Sequence, residues 1–535
     1  MLGLWRVGLR ALTKTPAEYL ALASLPQAQS PDQLSWLSTN LPYFSTAQFI
    51  ALLRSHSPHT LSPALAPLLQ FETFSRLQAA KFRNWTLLFH LSRLSERYEE
   101  LGISLVPAFQ ALTKEHLSKQ FLKSMSLTQA QQILSAHLHL LYPAKIKDLS
   151  FPTPSGQDLF DLASEVLAPA MSSASDASLP EWYNILRVYI LGDKGSEDFR
   201  RGLESLVFER LAGLPLHTLV DLPFLYKDRM CFDYHYIMTK VTGPYVQEVV
   251  RRFHLLDARQ VGLVSYRLWW SLGKYGVYYS AEFTDKLVQR VSDQAWLALT
   301  APRNQVYFAS NVLIYLCNVG LPFGPVLLDR LLDLLLQHRT YLDAKQVAQL
   351  CHAVARLHCV REDFWALVTS HIPAIVQDER HSGYLYSALL QLRFAQPALH
   401  SRLMALPEMQ ASFPTLTTVW KQQRTKDLTL AKESFQTKQV EAFLSARQVK
   451  YQMEYFDEYY IDVAVPELKL ALEICGTMHY IMPMKVLNGK TQAKKYVLEQ
   501  LGWQVVIIPF FHQGVEGRFE QVLDDTLGPI LPPSS

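Results

Sequence analysis

Residues 459–476 read YYIDVAVPELKLALEICG, and the alternation in this stretch decides what the C-terminal part of the chain is. Ile461, Val463 and Val465 point to one side of a strand, Asp462 and Ala464 to the other. Pro466 and Glu467 turn the chain. Leu468, Leu470, Leu472 and Ile474 then form an apolar row, opposite Lys469, Ala471, Glu473 and Cys475. A two-residue hairpin centred on Pro466 and Glu467 sets Asp462 against Ala471 and makes Glu473 its diagonal neighbour, roughly 7–8 Å away. Two carboxylates thus converge on one sheet face, an arrangement that invites a metal.

On either side of this hairpin the signals are those of a small α/β domain over 428–535. Residues 428–446 have the pattern of a helix. Val449, Tyr451, Met453 and Tyr455 alternate with Lys450, Gln452 and Glu454 as a strand. A helix is expected from Thr491 to Leu501, ended by Gly502, and the apolar run WQVVIIP at 503–509 reads as an interior strand. Lys485, Lys490, Lys494 and Lys495 are the densest basic cluster, with Lys490 and Lys494 on one helix face, and their functional reading is phosphate contact. The alternative is a solvated helix start, because the neighbouring hairpin is acidic. His479 and Tyr480 are of the type that stacks on or hydrogen-bonds unpaired bases, with core packing after Gly476 as the alternative.

Upstream the chain reads as helices interrupted by two linkers or surface loops, the first at Ile146 to Asp158. Residues 18–166 show short amphipathic helices broken by proline and serine. LAPAMSSASDASLP at 167–180 has the composition of a linker or loop. From 181 to 427 helices return, and four segments share a pattern of apolar helix, turn and second amphipathic helix, aligned at Gly276, Gly320, His358 and Arg393. Spacings of about 35–45 residues suit paired-helix repeats, which stack because one pair cannot bury its own apolar face. The expected fold is therefore mostly α, an α-solenoid-like array followed by a small α/β domain.

Composition excludes several classes. Hydrophobic residues make up 49% of the 535, too many for a disordered chain. Lys and Arg number 51 against 48 Asp and Glu, so any basic surface must be local. The 5 cysteines form no CxxC pair, and Cys351-His352 and His358-Cys359 lie in apolar helix, so neither a disulfide scaffold nor a zinc site is expected. No run reaches the ~18 apolar residues of a membrane span, so a soluble protein is expected. Residues 1–17, MLGLWRVGLRALTKTPA, are amphipathic, carry Arg6, Arg10 and Lys14, and contain no acid, as a mitochondrial presequence requires. The alternative is a first helix of the array.

IDVAVPELKLALEICGTMHY followed by LNGKTQAKKYVLEQLGWQVVIIPF resembles the RAP domain, over about Val440 to Gln513. The most specific parts are the Asp462 strand, Glu473-x-x-Gly476-x-x-His479, LNGKT and LGWxVVxIP. The resemblance implies a C-terminal domain after helical repeats, action on RNA in mitochondria or chloroplasts, and a restriction-endonuclease-like fold close to that of very short patch repair endonucleases. In those enzymes an Asp and a Glu hold Mg²⁺ and a Lys two residues after the Glu assists. Asp462 and Glu473 occupy the carboxylate positions, but Cys475 stands where the lysine belongs, and Lys469 lies about 13 Å from Glu473 along the strand. A lysine from the following helix is the remaining source.

Three readings follow. The first is a non-enzymatic mitochondrial RNA-binding protein without cofactor, acting on ribosomal or messenger RNA as a ribosome component or assembly factor beside mitochondrial ribosomal proteins. The second is a Mg²⁺-dependent endonuclease or endoribonuclease with Asp462 and Glu473 as catalytic metal ligands. The third is a structural subunit held by protein contacts.

Overall fold

The computed structural model describes residues 104–144, 149–227, 234–321, 323–430, 435–509 and 518–531, with a few isolated positions before 104. Residues 1–17 and most of 18–103 lie outside them, and with them the presequence reading. The chain is mostly helical, with a small sheet region near the C-terminus. It divides into two compact units, Met1–Pro215 and Leu216–Ser535. Among the described residues no helix is long and apolar enough to cross a membrane.

In the first unit the described residues form helices Val106–His116, Leu127–Ala144, Leu159–Met171, Leu179–Gly192 and Glu197–Phe208. The expected linker at 167–180 does not divide the unit. Its first residues complete Leu159–Met171, Pro169 included. A short 3₁₀ turn, Asp176–Ser178, then leads into Leu179–Gly192. Small residues here cap and turn the chain between packed helices, and the break between units falls at Pro215 instead.

The second unit opens into stacked helix pairs: α1 (Ala258–Trp270) with α2 (Ala281–Ser292), α3 (Pro302–Val319) with α4 (Pro325–Gln337), α5 (Ala344–Arg356) with α6 (Glu362–Ile375), and α7 (Glu379–Ala395), after which comes the long α8 (Pro407–Leu430). The repeat expected from sequence is present. Its aligned positions Gly276, Gly320 and His358 are the turns between the helices of each pair, with φ of 116°, 69° and 52°. A left-handed residue ends a helix by freeing the chain to reverse, which glycine does without a Cβ penalty. In the fourth segment the turn falls at Gln396, just beyond the aligned Arg393. Local signals repeat as well. Asp257 and Asp343 cap α1 and α5, accepting from the backbone N–H of Gln260 and Gln346 at 2.8 and 2.7 Å while each glutamine side chain returns the bond.

The C-terminal domain runs α9 (Phe435–Ala446), β2 (Gln452–Asp457), β3 (Tyr459–Val465), β4 (Leu470–Cys475), β5 (Tyr480–Met482), β6 (Val486–Leu487), α10 (Gly489–Gln500), β7 (Gln504–Pro509) and α11 (Arg518–Leu527). Its main sheet has the order β2-β3-β4-β7, antiparallel except for the parallel β4–β7 pair that α10 connects. Val463, Val465, Leu470, Leu472 and Ile508 bury one face against Val440 and Leu444 of α9 and Phe519, Leu523 and Leu527 of α11. The other face lies under α10.

This domain is built onto the array. A short strand of the array, β1 (Val277–Tyr278), pairs in parallel with β5, Val277 with Ile481 and Tyr278 with Met482. Gly489, at the start of α10, lies so close to Gly320 and the Cys317 carbonyl that a Cβ on it would overlap that oxygen. Gln391 of α7 donates to the Ala493 carbonyl at 3.0 Å, and Trp420 of α8 to that of Glu458 at 2.7 Å.

Candidate functional site

Three carboxylates stand in a row across the sheet. The register Met453↔Val463 and Tyr455↔Ile461 sets Glu454 of β2 opposite Asp462 of β3, and the register Val463↔Leu472 sets Asp462 opposite Glu473 of β4. The two-residue hairpin expected from sequence is corrected here. Pro466–Leu468 forms a 3₁₀ turn and Lys469 adopts a left-handed φ of 49°, so Val465 pairs with Leu470. A shift of two residues preserves the face, so Asp462 and Glu473 stay together but become direct rather than diagonal neighbours. Leu468 leaves the apolar row and is 47% exposed.

Glu473 is buried, at 4% exposure, beneath α10. Lys494, one turn into that helix, places Nζ 2.5 Å from its Oε2, while Oε1 has no hydrogen-bond partner among the described residues. Burial pushes the Glu473 carboxyl up to about 8, with Lys494 pulling it down and Asp462 and Glu454 pushing it further up. Burial alone would lower the Lys494 ammonium, but the carboxylates of Glu473 and Asp462 hold it above its ordinary value. Glu454 is raised by burial and then by Asp462. Asp462 Oδ2 accepts the backbone N–H of Ile474 at 2.7 Å, which clamps β4 to β3.

The lysine that the sequence places nowhere near Glu473 on its own strand is therefore supplied by α10. Cys475 is buried, with its thiol pushed up by that burial, and stays a neutral packing group. Lys469 is engaged elsewhere, 3.6 Å from Asp457 and over the Trp503 ring. A hard divalent cation requires several oxygen ligands. Here an ammonium already stands on Glu473 and a backbone N–H on Asp462, so the donor set as arranged does not fit Mg²⁺.

The expected RNA contacts separate into two groups. Lys494 faces the carboxylates, with a side chain 23% exposed, and leaves the set of outward phosphate contacts. Tyr480 is buried in β5 between β1 and β6, so it cannot serve as a stacking platform. A helical face shared by Lys490 and Lys494 does not hold either: Lys490 is exposed, whereas Lys494 turns inward. Lys495 bonds Glu499 one turn on. Lys485 and Lys490 are the exposed cations at this edge. His479 lies between the groups, half-buried, with Nδ1 3.1 Å from the Thr491 hydroxyl. Burial, then Lys490 and Lys494, lower it to about 4, so it is neutral at pH 7. The LNGKT stretch earns its specificity as a cap: Asn488 accepts from the Thr491 N–H at 3.0 Å and donates to the Met478 carbonyl at 2.6 Å.

Glu454 is the member of the row that sequence reading did not single out, although its alternation with Met453 and Tyr455 placed it on the polar face. Residues 472–512 match the family model of the RAP domain, and they contain Glu473, the Asn488 cap and Lys494. No curated protein matches the chain.

Proposed function

From its C-terminal RAP domain, the mark of an RNA-binding family, we propose that this chain is a non-enzymatic RNA-binding protein of the mitochondrial matrix. It acts on ribosomal or other organellar RNA, as a component or assembly factor of the mitochondrial ribosome, beside ribosomal proteins. The observation that carries the RNA reading is the RAP domain itself, joined to the array through β1–β5 pairing and presenting Lys485 and Lys490 outward. The mitochondrial placement rests on the basic, acid-free start of the sequence. A pulldown from isolated mitochondria with sequencing of bound RNA tests both. Enrichment of ribosomal RNA is expected, and recovery of no RNA above a control removes the reading.

A second reading, a metal-dependent endonuclease, is motivated by Lys494 completing an Asp-Glu-Lys set with Asp462 and Glu473, and it requires a cation to displace the ammonium from Glu473 and the backbone N–H from Asp462. Incubation of unstructured RNA with the chain and Mg²⁺ or Mn²⁺ separates the two. The first reading expects no cleavage that Glu473→Gln abolishes.

A further inference from the structure

The array has two layers that differ in charge. α1, α3, α5 and α7 pack in succession as one layer, and α2, α4, α6 and α8 as the other. α1, α3 and α5 contain no acid and carry Arg259, Arg267, Arg303, Lys345 and Arg356. α7 adds Arg380 and Arg393 against Glu379. By contrast α2, α4 and α6 expose Glu282, Asp285, Asp329, Asp333, Glu362 and Asp363, offset by Lys286, Arg290 and Arg330.

The basic layer also carries aromatic rings that are not fully buried. Tyr266 of α1 is the end of a preformed stack: its ring lies 5.1 Å from that of Trp270 at 28°, and the Lys227 ammonium lies over Trp270 at 4.5 Å. Tyr384 of α7 rests against His352 of α5, with ring centres 5.5 Å apart. Tyr307 of α3 packs against Gly262 of α1, and Arg259, Arg303 and Arg380 precede Tyr266, Tyr307 and Tyr384 by whole helical turns, so each arginine shares a helix face with its ring. The layer therefore gathers Tyr266, Tyr307 and Tyr384 into one stripe edged by the exposed Arg259, Arg303 and Arg380. α10 docks further along the same helices, at Gly320 and Gln391, and among the described residues the three rings of the stripe keep part of their surface exposed.

Single-stranded nucleic acid is held where cations track the phosphates and ring faces accept bases, a combination that needs no sequence readout. We propose that this stripe on α1, α3 and α7 is a binding track for single-stranded RNA, with Tyr266 extending its stack to a base and Arg259, Arg303 and Arg380 holding phosphates. The proposal rests on the RNA-binding reading above and adds a site outside the RAP domain. An acidic peptide would use the arginines and leave the ring faces idle.

The test is fluorescence anisotropy of the full chain with a labelled oligouridine and, separately, with a polyglutamate peptide. Arg303→Glu with Arg380→Glu is expected to weaken oligouridine binding at least tenfold at low salt and to make the salt slope shallower by about 1.4, or about 0.7 per phosphate contact. Tyr384→Leu, which keeps apolar bulk, is expected to weaken it about tenfold. Unchanged thermal unfolding of each variant excludes misfolding. Oligouridine affinity within twofold of the parent in all these variants, alongside weakening by Lys485→Glu with Lys490→Glu, overturns the track while the RNA reading stands. No oligouridine binding by the parent chain overturns both. Loss of polyglutamate binding alone overturns the track in favour of a protein partner.

Discussion

The Lys494 ammonium stands 2.5 Å from the Glu473 carboxylate, reaching from a helix onto a strand that lies 21 residues earlier in the chain. This contact turns a row of three carboxylates, which repel as cross-strand neighbours, into a site that the fold can hold.

Above about pH 8, where the Glu473 carboxyl is ionised, removing the ammonium leaves a buried charge without its partner, a change that costs about 3 kcal/mol or more. Lys494→Ala is expected to lower stability by that amount in urea unfolding under those conditions. Replacing both partners, Lys494→Met with Glu473→Leu, is expected to recover most of the loss, since a buried ion pair and apolar groups of similar volume are often equivalent. A single variant as stable as the parent would contradict the pairing.

The raised Glu473 carboxyl sets a pH dependence. With a folded value of about 8 against an ordinary 4.5, the folded state binds more protons than the unfolded chain between those values. Stability contributed by this group is thus fully present below about pH 4.5 and is lost as pH rises toward 8. Thermal unfolding at pH 5 and pH 8 is expected to show a larger drop in the parent than in Glu473→Gln. Equal drops would place the carboxyl in an ordinary range.

At Gly489 the α/β domain meets the array in close backbone contact. Gly489→Ala drives a Cβ into the Cys317 carbonyl, so α10 must shift away from α3. The expected cost is about 1–3 kcal/mol, the range for overpacking. Hydrogen exchange should show faster amide exchange in β1 and β5, whose pairing depends on that docking. Unchanged exchange there would mean that the two parts do not rely on this contact.

Charge reversal at the exposed edge, Lys485→Glu with Lys490→Glu, is expected to weaken RNA binding across sequences and to reduce the salt slope by about 0.7 per lost phosphate contact. Binding assays at two salt concentrations measure it. An equal effect of Lys494→Met on the salt slope, without loss of stability, would show that Lys494 also faces RNA.

Helix pairs, sheet composition and the polar face of β3–β4 were legible in the sequence because they depend on periodicity. Gly276, Gly320 and His358 marked turns before any coordinates, and Asp462 and Glu473 were placed on one face. The source of the lysine was not legible. Lys494 and Lys490 sit four residues apart and look alike in a helical pattern, yet one faces Glu473 and the other solvent. Tyr480 likewise reads as a surface aromatic until β1 arrives from some two hundred residues earlier to cover its strand.

By itself the sequence determined the alternation of apolar and polar positions, the helix caps and the turn residues, since each follows from contacts within a few residues. It also carried the residues that match the RAP domain. Only the tertiary structure decided which residues meet: Asp462 with Glu473 directly, Lys494 with Glu473, Gly320 with Gly489, and Gly262 with Tyr307 of the next repeat. Those meetings are set by register, by the crossing of α10 over the sheet and by the stacking of helix pairs, and none of these is encoded in any single short window of the chain.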